Sequence, residues 1–254
     1  MENLKISTIT AVSQIDSDIN LKEIYDTIPI DDYIPFIEYG HGFEPRGFSK
    51  KMLKKTRKKK VRKIFYNQST VHVNFDGKIV NVKLFNNGKL QLTGLKDEKR
   101  GYKLIEELIE YFKKFNILKS DIMIVDYKIV LINSDFDLGF EINRETLHRE
   151  IINAGIYSSY EPCIYPGVNI KYYINENISN GICDCLSICD GKGRADGDGK
   201  CKKVTVAVFK SGKTIITGAQ NRDQLIQSYR FISTFVNERK EFIVLKWKEF
   251  IVLK

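Results

Sequence analysis

"VAVFKSGKTIITGAQNR", residues 206–222, repeats in outline an earlier stretch, "VKLFNNGKLQLTGLKDE", residues 82–98. Laid together without a gap, the two share Val82/Val206, Phe85/Phe209, Gly88/Gly212, Lys89/Lys213, Thr93/Thr217 and Gly94/Gly218. Both read as hairpins. In "KIVNVKLF" (78–85) Val80, Val82 and Leu84 alternate with Asn81, Lys83 and Phe85, and a period of two marks a strand with one buried face. "NNG" at 86–88 and "KSG" at 210–212 supply tight turns in which glycine takes a positive φ. The returning strands, "KLQLT" and "KTIIT", end at Gly94 and Gly218.

The context of each hairpin repeats as well. "GYKLIEELIEYFKKF" sets Leu104, Leu108, Tyr111, Phe112 and Phe115 along one helical face, and "DQLIQSYRFISTFVN" does so with Leu225, Tyr229, Ile232 and Phe235. Upstream, "ISTITAV" leads to the helix pattern "NLKEIYDTI", and "KIVLIN" leads to "NRETLHREIINAG". Both helices are expected to exit into one tripeptide pattern, Tyr33-Ile34-Pro35 and Tyr160-Glu161-Pro162. Strand, helix, strands, helix thus occurs twice, which is an internal duplication with repeats at 1–120 and 121–254. The expected class is α+β: two pseudo-symmetric antiparallel segments forming one curved sheet, with helices on one face only. The other face stays open, and function is expected there. The first repeat carries a basic insertion around 36–68 and the second a Cys- and Gly-rich insertion around 175–201. The tail "KEFIVLKWKEFIVLK" repeats seven residues and is assigned a packing role at most.

At 29.4 kDa and 43% hydrophobic residues the chain can bury a sizeable core. It has no apolar run long enough to span a membrane and no basic-then-apolar start, so the expectation is a soluble intracellular protein without membrane contact. The net charge of +9 is unevenly spread. "RGFSKKMLKKTRKKKVRK", residues 46–63, holds eleven Lys or Arg and no acid, and the remainder is slightly acidic. That segment reads as a polyanion-binding arm or an import signal. Cys183, Cys185, Cys189 and Cys201 are crowded as C-x-C-x3-C-x11-C. They offer four thiolates for a structural zinc ion, no cofactor being required otherwise; the alternative is a flexible insertion with free thiols. The acidic "DGKGRADGDG" lacks the terminal Glu of a calcium loop. Three scattered histidines, and no carboxylate pair or triad on the predicted open face, argue against an enzyme.

"SSYEPCIYPG" followed by "FKSGKTIITGA" resembles the second repeat of the TATA-box-binding protein (TBP) family, and the resemblance extends over both repeats outside the insertions and tail. The large insertions and Lys/Ile/Asn-rich composition are similar to divergent members from large DNA viruses. The resemblance implies a saddle whose concave sheet grips the DNA minor groove and bends it, with aromatic wedges between bases. It implies a transcription-initiation factor acting on A·T-rich promoter DNA, in the nucleus or, for a virus, in the cytoplasmic factory or virion. On the face opposite the buried Val and Leu positions lie Lys83, Phe85, Gln91 and Thr93, and Ala207, Phe209, Ile215 and Thr217. Phe85 and Phe209 take the inner wedge positions and Tyr165 the outer one of the second repeat; Phe65, Tyr66 or a place near Gln68 is open for the first. Lys89, Lys96, Lys171 and Lys213 match phosphate-binding positions. Thr8 and Leu131 stand where the family has groove-facing asparagines, with Asn133 one same-face position along. The turn around Glu161 and Ile164 matches the docking place of a TFIIB-type factor, and through it the RNA polymerase machinery, although Cys163 replaces an acid there. Two other uses of such a fold are a nucleic-acid-gripping module of a repair or nuclease system and a protein-binding scaffold.

Overall fold

A computed structural model describes residues 4–40, 43–49, 66–177, 180–193 and 195–247. The basic segment from residue 50 onward, Phe65 and the second copy of the tail repeat lie outside the described residues. The chain forms two compact units, Thr8–Val130 and Met1–Ser7 with Leu131–Lys254.

The Thr8–Val130 unit contains β1 (Lys5–Ile15, begun just before it), α1 (Leu21–Thr27), β2 (Phe36–Tyr39), β3 (Arg46–Gly47), β4 (Gln68–Phe75), β5 (Lys78–Phe85), β6 (Lys89–Leu95) and α2 (Arg100–Lys114). Its strands are ordered β3-β2-β4-β5-β6-β1, each pair antiparallel. The Leu131–Lys254 unit takes up β7 (Ile124–Asp137) from its middle, then β8 (Phe140–Ile142), α3 (Arg144–Asn153), β9 (Tyr157–Glu161), β10 (Tyr165–Ile174), β11 (Lys202–Val208), β12 (Lys213–Ala219), α4 (Arg222–Glu238), α5 (Lys240–Ile243) and β13 (Val244–Trp247). Here the order is β7-β12-β11-β10-β9, again antiparallel, with β13 paired to β8 apart from it.

Alternation decides what each sheet buries. Val80, Val82 and Leu84 of β5, Leu90 and Leu92 of β6, and Ile9 and Ala11 of β1 are buried on the face that α2 covers with Leu104, Ile105, Leu108 and Phe112. In the other unit Val204, Val206 and Val208, Ile170, Tyr172 and Ile216 meet Leu225, Ile232, Phe235 and Val236 of α4. Each fully buried aliphatic side chain contributes about 1.5–3 kcal/mol, so these faces hold the units together. Three helices start on an asparagine cap: Asn20, Asn143 and Asn221 accept from the backbone N–H of Glu23, Thr146 and Gln224 at 3.2, 3.1 and 2.9 Å. The hairpin glycines match in conformation, Gly88 at φ 77° and Gly212 at φ 76°.

One expected echo does not hold. Tyr33-Ile34-Pro35 precedes β2, whereas Tyr160 and Glu161 end β9 and Pro162 follows it. β2 and β9 are equivalent strands, beside β4 and β10, although β2 carries β3 on its outer side; the tripeptides therefore sit at opposite ends of one element. They do different work: Asp31 Oδ1 caps the first as acceptor from the N–H of Tyr33 and Ile34, while Glu161 O closes the second turn by accepting from Ile164 N at 3.0 Å. The first copy of the tail repeat forms α5 and β13, and Ile243 is buried.

Candidate nucleic-acid interface

The strand register places the side chains opposite the buried faces in matching rows. In the Leu131–Lys254 unit one row runs Tyr157–Lys171–Thr205–Thr217–Asn133, and the next Ser159–Asn169–Ala207–Ile215–Asp135. In the Thr8–Val130 unit the equivalent rows are Phe36–His72–Asn81–Thr93–Thr10 and Glu38–Thr70–Lys83–Gln91–Val12. Thr8 falls two residues before Thr10 on the same strand. These rows contain the predicted Lys83, Gln91, Thr93, Ile215, Thr217, Asn133 and Lys171. They make Thr10 the counterpart of Asn133, because Thr10 faces Thr93 as Asn133 faces Thr217, and so keep Thr8 in step with Leu131.

Beyond these rows stand the aromatics. Gln68 pairs with Phe85; one step past the Val168–Val208 pair, Gly167 is opposite Phe209. Tyr165, two residues before Gly167, brings its ring centroid to 5.7 Å from that of Phe209. A Cβ on Gly167 would lie 2.9 Å from Tyr165 Cε1 and 3.1 Å from Phe209 Cε1, so the missing side chain is what lets the two rings close over the strand. The same two-residue offset from Gln68 leads to Tyr66, which is 78% exposed. Register thus puts Tyr66 at the position equivalent to Tyr165. Lys89 and Lys213 begin the returning strands beside Phe85 and Phe209 and are exposed, as is Lys96 after β6.

Polar contacts organise these faces. Thr217 Oγ1 donates to Asn133 Oδ1, which occupies the amide carbonyl and directs the amide N–H groups elsewhere. Lys171 Nζ donates to Thr205 Oγ1 at 3.0 Å; burial, aided by the Lys203 charge, holds its pKa below the usual lysine value. Lys171 thus lies within the sheet row rather than at its rim.

Two features had no clear sequence signal. Asp135 puts a carboxylate where the other unit has Val12, and it accepts from the Ser7 hydroxyl. Pro35, Phe48 and Ser49 overlie part of the Thr8–Val130 face, forming with His72, Ile79, Asn81 and Thr93 a cavity of about 410 Å³. Ser49 is buried there and Phe48 is 56% exposed. The start of the basic segment is consequently part of the folded unit: Arg46 donates to Tyr25 O and its guanidinium lies 5.7 Å from the Tyr25 ring centroid. Only the phase of "PRGFS" against the β2 edge could have disclosed this, through the short β2–β3 pairing.

The Glu161–Ile164 turn is solvent-facing, with Ile164 79% exposed and Cys163 exposed. The sulfurs of Cys183, Cys185, Cys189 and Cys201 all lie within 4.8 Å of one another. Hydrogen bonding with Cys201 holds the Cys185 thiol down to about 7, while burial pushes that of Cys201 up.

A family model described as transcription factor TFIID (or TATA-binding protein, TBP) matches residues 126–238. A TATA-box-binding protein-like protein of Acanthamoeba polyphaga mimivirus is 32% identical, over 91% of this chain and 64% of that protein. The TATA-box-binding protein of Saccharomyces cerevisiae is 26% identical over 61% of this chain and 51% of its own. The chain thus spans less than two thirds of the length of these curated relatives. The solved structure of Methanococcus jannaschii TBP superposes on 93% of this chain and 99% of its own with a TM-score of 0.56 at 18% identity, which establishes a shared fold.

Proposed function

We propose that this chain, a divergent TBP-like protein related to that of a mimivirus, is a non-enzymatic DNA-binding transcription-initiation factor that grips the minor groove with its open sheet faces and bends the duplex. The observation that carries this reading is the repeated aromatic placement. Phe85 and Phe209 occupy one register position in two hairpins, and Tyr165 leans on Phe209 across Gly167. Apolar and aromatic wedges that part base steps are how a flat sheet bends DNA. Nearest to β1 and β7 the rows carry Thr10, Thr93, Gln91, Thr217, Asn133 and Ile215, side chains that suit a shallow groove floor bearing only acceptors in A·T pairs. Asn133 suits this best, since its carbonyl is taken by Thr217 and its N–H groups remain to donate. Lys89, Lys96 and Lys213 serve the phosphates, where cations add affinity without reading sequence.

The ligand of this reading is A·T-rich double-stranded DNA at promoters, and the exposed Glu161–Ile164 turn is the docking place for a TFIIB-like factor that recruits a polymerase. The work would be done in the nucleus or, for a viral protein, in a cytoplasmic factory or virion. Selection of bound duplexes from a random pool, followed by footprinting, tests this: an A·T-rich site with minor-groove protection is expected. Binding with no protected groove, or none to duplex DNA, would leave a protein-binding scaffold, and cleavage of the bound DNA a repair or nuclease module.

A further inference from the structure

The insertion between β10 and β11 is unlike the sheet it interrupts. Among its described residues the buried ones are Asn175, Gly181, Gly191, Gly197 and Cys201, and its large apolar side chains Leu186 and Ile188 are 98% and 100% exposed. A loop of this length with no apolar core cannot offset its ordering entropy by hydrophobic burial. Yet it is closely tied to its own neck. Tyr173 N donates to Gly181 O and Lys203 N to Gly191 O, at 2.9 and 2.8 Å.

The cysteines supply the missing centre. Cys201, fully buried at the root of β11, has Cys185 Sγ at 3.1 Å and Cys183 Sγ at 3.7 Å, and Cys189 completes a group whose sulfurs all lie within 4.8 Å. Four sulfurs on a tetrahedral ion with Zn–S near 2.3 Å stand about 3.8 Å apart, which is the spacing this cluster approaches. A donor already points at the sulfurs: Asn175 Nδ2 reaches Cys201 Sγ at 3.2 Å. Such outer contacts orient thiolate ligands and spread their charge.

We infer that Cys183, Cys185, Cys189 and Cys201 bind one structural zinc ion that orders the insertion. Binding forms four Zn–S bonds and releases the thiol protons to solvent. With four protein ligands no position is left for water or substrate, so the ion is architectural. The site lies at the end of β10 remote from Tyr165, and the inference stands whether or not the sheet faces bind DNA.

Metal analysis of the full chain, purified without added zinc, should find about one zinc per protein, the ratio a four-thiolate site requires. Cobalt exchanged into it should give the thiolate charge-transfer and intense visible bands of a tetrahedral four-sulfur site. The C183S/C201S variant should lose the ion, and C163S should keep it. Should the double variant fail to fold, chelation of the parent protein decides: it should release the zinc and open the insertion, not the sheets, to protease. Four thiols titrating freely in metal-free native protein, a disulfide among them, or iron in place of zinc would each overturn the inference.

Discussion

The ring of Tyr165 rests 5.7 Å from that of Phe209, above a glycine whose Cβ would meet both. Gly167→Ala should therefore displace the pair without disturbing the backbone, because the atoms in the way are ring edges and not main chain. Thermal stability is expected to change by under about 1 kcal/mol, while affinity for a bent A·T-rich duplex falls roughly threefold or more, given that stacked aromatics are worth about 1–3 kcal/mol per base. Calorimetry and anisotropy titration check the two halves. Gln68→Ala, at the equivalent place in the other unit, should do neither.

Gly88→Ala and Gly212→Ala should fail in the other way. At both, φ is strongly positive and a Cβ would stand 2.3 Å from Ser17 O or 2.1 Å from Phe140 O, which are backbone atoms that cannot swing aside. Each change is expected to cost at least about 1–3 kcal/mol of stability, measured as a fall in denaturation midpoint.

How much was legible follows from these same residues. The strand phase, the open face and both hairpins could be read because a period of two and a turn glycine are local properties, and they recur 124 residues apart. Equivalence of β2 and β9 could not be read, because it depends on pairing between distant segments. Tyr33 and Tyr160 look alike in sequence, and only the partners of β4 and β10 show them to be unrelated. The bulge at Gly94, where the pairing passes from Thr10–Thr93 to Ile9–Leu95, has the same character, since it depends on the partner strand. Asp135 carries no signal for a simpler reason: an acid beside alternating residues reads as solvated.

Asp135 should weaken DNA binding. Its carboxylate shares a row with Ile215 and Ala207, toward any phosphate backbone lying on that face. Asp135→Asn keeps an acceptor for Ser7 and removes the charge, so affinity should rise roughly two- to fivefold at low salt, the scale of a screened charge pair. Titration at two ionic strengths checks this, with the gain shrinking as salt rises.

The basic segment should add affinity without sequence choice. Residues 46–49 belong to the fold, so the replacement to make is 50–63, which holds ten of the eleven cations. A neutral linker of equal length should flatten the salt dependence by roughly 0.9 in log–log slope for each phosphate that is no longer neutralised. The ranking of selected duplexes should survive. An unchanged slope would assign the segment to import or to a protein partner.

The central claim is that Phe85 and Phe209 are wedges. Both are only half-buried, at one register position of the two hairpins, and outside the buried faces. Fluorescence energy transfer between the ends of a selected A·T-rich duplex measures the bend directly. The parent protein should draw the ends together, and Phe85→Ala and Phe209→Ala should each lose much of that change with their melting temperatures nearly unaltered. A parent that binds the duplex and leaves it straight, or variants that bend it as fully as the parent, would contradict the account.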